Sequence, residues 1–86
     1  LVGTGTAWDW SNRCFEHVQR RRFGWARAAC DEADRARPSG TTLAMLRYNQ
    51  GVIAREAGDR DRARRLFDES LRLRESAPVR AARDAL

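Results

Sequence analysis

The sequence predicts an all-α fold of antiparallel helix-turn-helix units closed by a short C-terminal helix. Three observations carry this. Apolar residues recur at helical spacing on both sides of Gly58-Asp59, and that pair supplies a turn glycine and an N-capping aspartate. Gly51 stands inside the run before the turn, where glycine costs roughly 1 kcal/mol relative to alanine and so calls for a packing reason. Lacking a Cβ, it lets the helix across the turn approach closely, with the small Ala63 helping from the other side.

At 86 residues the chain is at most one small domain with a thin core. Its 42% hydrophobic and 34% charged content is too apolar for a disordered chain. No apolar run is long enough to span a membrane and no segment reads as a signal peptide, so a cytoplasmic address is expected. All 17 basic residues are arginine, which suggests a GC-rich bacterial genome. The chain opens Leu1-Val2-Gly3 without a methionine, as a processed product or an excised segment would. A net charge of +5 raises the question of nucleic acid. Against it, Arg64 with Asp68, Asp68 with Arg72 and Arg65 with Glu69 stand four apart, the pattern of a solvated helix face worth roughly 0.2–0.5 kcal/mol per pair. Only Arg20-Arg21-Arg22 is an unrelieved basic run.

Residues 1–6, with Gly3 and Gly5, form a flexible N-terminal segment. Thr6 and Asp9 have the spacing of a capping box with a shorter acid, so the first helix starts at Ala7. Trp10, Cys14 and His17 fall on one stripe of it, and Trp8, Asn12, Phe15 and Val18 on a neighbouring one. Arg20 to Arg22 end it, where basic residues suit the helix dipole. The second helix runs from Phe23 or Gly24 to Arg37, with Ala26, Cys30 and Ala33 inward, and Pro38-Ser39-Gly40 stops it. Thr41-Thr42-Leu43 starts the third helix early; Ala63, Leu66, Phe67 and Leu71 mark the fourth. Ser76 caps a last helix with Pro78 in its first turn, and Val79, Ala82 and Leu86 share the side that would cover the open end of the preceding pair.

Laid in register, the two halves resemble the tetratricopeptide repeat, a 34-residue helix-turn-helix unit. The first half has Trp10 in the tryptophan slot, Phe23 in the aromatic slot of the turn, Ala26 and Ala33 in the small-residue slots and Pro38 as terminator. It departs from the pattern with Cys14 for glycine, His17 for tyrosine, Cys30 for a large aromatic and Arg21-Arg22 for the Gly-Asp turn, so its turn is expected to differ in shape. The second half supplies Gly51, Gly58-Asp59, Ala63 and Phe67, with Arg47, Gln50, Ala54 and Ser70 as its departures. The resemblance covers residues 7–77, with repeat one at 7–40, repeat two at 44–77 and a terminal helix at 77–86 inside a single domain, 7–86.

The resemblance implies a non-catalytic protein-protein interaction module that binds a peptide or partner helix in a concave apolar groove. The groove residues it implies are Trp8, Asn12, Phe15, Met45, Tyr48, Asn49 and Val52, with Asn12 and Asn49 where the family often bonds ligand backbone. Trp8 and Met45 stand where some members carry carboxylate-clamping basic residues, so an apolar partner is expected, gripped by aromatics and methionine. Homo-oligomerisation through the same surface is the first alternative, with Trp25 as an outer-face anchor; arginine-mediated nucleic-acid binding is the second. No catalytic site or cofactor is expected. His17 is the sole histidine, and no motif places a serine or cysteine to use it. Cys14, His17 and Cys30 lack the spacing of a zinc site, and the two cysteines read as small apolar fillers of the core. If they face one another a disulfide is conceivable, though the cytosol would keep it reduced.

Overall fold

The computed structural model describes residues 6–86, so the flexible segment expected at 1–6 lies outside it except for Thr6. Among the described residues there are five helices and no strand: α1 (Ala7–Gln19), α2 (Phe23–Arg35), α3 (Gly40–Glu56), α4 (Arg60–Leu73) and α5 (Ala77–Asp84). Helix α1 pairs with α2 and α3 with α4; α3 also lies against both helices of the first hairpin, and α5 packs on α4.

The helix starts follow the capping chemistry. The Asp9 N–H donates to Thr6 Oγ1 at 3.1 Å while the Thr6 hydroxyl donates back to Asp9 at 2.7 Å, and the Arg62 N–H donates to Asp59 Oδ1 at 3.0 Å. Ser76 holds the N-cap position of α5 without a side-chain hydrogen bond, so Pro78 and the packing of Val79 define that start. Gly40, expected to stop α2, is instead the first residue of α3. The stop falls earlier, at Arg37, whose φ of 57° takes the chain out of the helix just before Pro38.

The first turn, expected to differ from the second, has the same shape. Arg21 adopts φ 59° and Gly58 φ 86°. In the first turn the Arg21 N–H reaches Val18 O at 3.0 Å and the Arg22 N–H reaches His17 O at 2.8 Å. In the second, Gly58 to Arg55 and Asp59 to Ala54 repeat both bonds at 3.0 and 2.9 Å. These are Schellman closures, and the first is made with a left-handed arginine.

The cores of the two hairpins differ. Between α3 and α4 the buried side chains include Leu46, Ile53, Leu66 and Phe67. On α1 and α2 they are Ser11, Cys14, Val18, Ala26, Ala29, Cys30 and Ala33, none larger than valine. The cysteines, expected as apolar fillers, are joined in a disulfide across α1 and α2, at a sequence separation of 16. A covalent link therefore stands where bulk is lacking. Cys14 and Gly51 occupy matching positions in the two hairpins, as do Cys30 and Phe67, and each pair is a contact: a bond in the first, glycine against ring in the second.

Polar groups join the hairpins. The Arg47 guanidinium donates to Glu69 on α4 at 2.8 Å, to Asp34 on α2 at 3.2 Å and to Gln50 at 2.8 Å, and Gln50 Nε2 reaches Asp34 at 3.3 Å. Burial alone would lower Arg47, but the hydrogen bond with Glu69 and the charges of Asp34 and Glu69 hold it above its ordinary range. The pairs read within α4 give way to these longer links, since Glu69 goes to Arg47 and Asp68 to Arg83 of α5 at 2.7 Å.

Candidate partner-binding trough

Two depressions meet at Tyr48. One, of about 290 Å³, lies between α3, the end of α4 and the start of α5, and is lined by Thr41, Met45, Tyr48, Arg74, Glu75 and Val79 among others. The other, of about 260 Å³, lies between the first hairpin and α3, with Val18, Phe23, Tyr48, Val52, Arg55 and Glu56 in its wall. Tyr48 is half-buried with its ring 5.7 Å from that of Phe67, so the core fixes its position while one side stays open. A rigid aromatic flanked by Met45 and Val52 offers apolar contact area at little ordering cost.

The expected groove residues divide. Met45, Tyr48 and Val52 line the depressions. Phe15 is exposed one helical turn from Val18, beside the second depression rather than in it, and Trp8 is exposed near the start of α1. Asn12 is half-buried. Asn49 is fully buried; its side-chain amide donates to Met45 O at 3.1 Å, and Oδ1 has no hydrogen-bond partner. It therefore cannot offer its amide to a ligand backbone in the trough, which corrects the role inferred for it. Sequence reasoning missed the contribution of Arg74, Glu75 and Val79 to the trough: it set the last helix over the open end of the second hairpin, but read Val79 only as a cover for that end.

Charge surrounds the trough. Arg21 bridges to Glu56 at 3.0 Å across the turn, and Arg55 approaches the same carboxylate at 3.4 Å. At the other end Glu75 accepts two hydrogen bonds from Arg80, at 2.8 and 2.9 Å, which hold its carboxyl below the ordinary range. The basic run is relieved as well: Arg20 lies 3.9 Å from Glu16 and Arg21 is taken by Glu56, leaving Arg22 alone of the three without an ion pair among the described residues.

A second hollow, of about 440 Å³, lies on α1 and α2 and is framed by Trp10, Arg13, His17, Trp25, Ala28 and Glu32. Trp25 is 70% exposed, and His17 meets its ring edge-on at 5.5 Å. Arg13 lies over Trp10, 4.5 Å from the ring centre. Among the described residues no group of three or more His, Cys, Asp or Glu is placed to hold a metal ion, and the disulfide leaves His17 no thiol to activate. No helix among the described residues is long and apolar enough to cross a membrane. No family model, curated protein or solved structure matches the chain.

Proposed function

We propose that this chain is a non-catalytic protein-protein interaction module of tetratricopeptide type, two helical hairpins and a capping helix, that holds a peptide or partner helix in the trough centred on Tyr48. The observation that supports it is the correspondence of the hairpins: the Cys14–Cys30 and Gly51–Phe67 contacts and the Arg21 and Gly58 turns fall in matching slots of one pattern. A hairpin used twice makes a stiff concave support, so a flexible partner segment bears most of the ordering cost. The buried disulfide favours an oxidising compartment over the cytoplasmic address read from the sequence.

The test is selection of peptides from a displayed library on the oxidised chain, followed by calorimetric titration of a selected peptide. Phe15→Ala combined with Tyr48→Ala is expected to weaken binding tenfold or more while far-ultraviolet dichroism keeps its helical amplitude. Loss of the helical signal would assign both residues to the core and refute the trough. Sedimentation equilibrium over a range of concentrations distinguishes the homo-oligomer alternative, in which the same double variant would dissolve a dimer.

A further inference from the structure

We infer that the hollow on α1 and α2 seats an acidic helix from a partner's helical hairpin, in the way the second hairpin of this chain seats α2. The inference rests on the correspondence between the hairpins and is independent of what the trough binds. Helix α2 presents Arg27, Cys30 and Asp31 to a depression whose other wall includes Gln50, Ile53, Ala54 and Arg62. Asp34, one turn on, is held by Arg47 and Gln50. The register that matches Cys14 to Gly51 and Cys30 to Phe67 also matches Trp10 to Arg47, Arg13 to Gln50, His17 to Ala54, Trp25 to Arg62 and Glu32 to Glu69. All five first-hairpin residues frame the hollow. The exposed flank of the first hairpin is thus the counterpart of the surface on which α2 already lies.

The chemistry of the occupant follows from the differences. Tryptophan at positions 10 and 25 makes this flank more apolar than its counterpart, so the arriving helix needs an apolar stripe. The cation moves from the Arg47 slot to the Arg13 slot, whose counterpart Gln50 already touches a carboxylate. Arg13 is exposed, lies over Trp10 and makes no ion pair among the described residues. It suits an Asp or Glu at the place of Asp34. A second copy of the chain has no such helix free: α2 is covered by α3, and α4 is covered by α5 through Val79 and the Arg83–Asp68 bridge. The occupant is therefore neither of these helices from a second copy, and is assigned to a partner's hairpin.

The test uses the full oxidised chain and a dye-labelled, helix-stapled peptide with the sequence of residues 23–36, in which Ala replaces Cys30 and Leu replaces Trp25, titrated by fluorescence polarisation. Saturable binding is expected, weakened tenfold or more by Trp25→Ala in the chain and about two- to fivefold by Asp34→Asn in the peptide. Arg13→Glu in the chain should reverse the preference towards a peptide carrying Asp34→Arg. Tyr48→Ala should leave the affinity unchanged, which separates this flank from the trough. Absence of saturable binding, equal affinity for the Trp25→Ala chain, or loss of binding in the Tyr48→Ala chain would overturn the inference. So would a dimer in sedimentation that Trp25→Ala dissolves, since the flank would then belong to a second copy.

Discussion

Gly51 lies so close to the ring of Phe67 that a Cβ added to it would come within 2.6 Å of Cε1 and 2.7 Å of Cδ1. Phe67 is fully buried, so the ring has no free space into which to retreat. Gly51→Ala would gain about 1 kcal/mol of helix propensity and lose about 1–3 kcal/mol to overpacking. A net destabilisation of about 1 kcal/mol is expected from urea denaturation. A gain in stability would show that α4 can slide and that the close approach is not required.

Removing the disulfide should cost more. The first hairpin buries nothing larger than valine, and the bond closes a loop with 16 residues of sequence separation. A loop of about 15 residues corresponds to roughly 3 kcal/mol of restrained unfolded-state entropy. Replacing both cysteines by alanine avoids burying unpaired hydroxyls and is expected to lower stability by about that amount in thermal and urea unfolding. Since Trp8, Trp10 and Trp25 all lie on α1 and α2, their fluorescence would show whether the first hairpin loosens ahead of the second.

The helices were legible because capping and periodicity are local. Thr6 with Asp9, Gly58-Asp59, and Val79 with Ala82 and Leu86 each predict an element from neighbours within a few residues, and the structure places those elements accordingly. Gly51 likewise predicted a close approach of the two helices across the turn, with the small Ala63 opposite; the atoms that a Cβ there would meet belong to the Phe67 ring. The cysteine bond was less legible, since its formation depends on redox compartment as much as on register. Asn49 failed as a site residue for a similar reason. A family slot assigns a position on a helix, but burial is set by the helices packed around α3, which no single helix encodes.

Arg21 takes a left-handed backbone that costs most residues about 1–2 kcal/mol. Its side chain returns little, because the bridge to Glu56 is formed by a guanidinium that is 72% exposed. Arg21→Gly relieves the strain and loosens the unfolded chain by about 0.5–1 kcal/mol. The net expectation is a gain of up to about 1 kcal/mol in the urea midpoint. A clear loss would show that the bridge, together with the Arg21 guanidinium 5.2 Å from the centre of the Phe23 ring, outweighs the cost of the backbone.

Glu75 gives the start of α5 an acid-sensitive link. Its carboxyl is held low mainly by the Arg80 hydrogen bond, so the contribution is fully present above the unfolded value, roughly pH 4.3. It is lost as pH falls through the lower folded value. A proton titration followed by NMR should move the Glu75 and Arg80 resonances together below pH 4.3, and Glu75→Gln should abolish the Arg80 step. An Arg80 step that survives Glu75→Gln would assign the acid transition to another carboxylate.

Arg47 ties α2, α3 and α4 together, and its side chain is only 18% exposed. Arg47→Met keeps the apolar stem and removes the charge. The partners are not trapped: the Asp34 and Glu69 side chains are 43% and 40% exposed, so each can rehydrate. That places the cost near 1 kcal/mol, well short of the 3–5 kcal/mol that follows when a fully buried charge is abandoned. A double-mutant cycle with Glu69→Gln should give the larger coupling, since that contact is 2.8 Å, against 3.2 Å to Asp34. Both should weaken only slightly at high salt, because the shared guanidinium is shielded from solvent. Zero coupling to Asp34 would mean that this guanidinium adds nothing to the contact between the hairpins, and zero coupling to Glu69 that it adds nothing to the packing of α3 on α4.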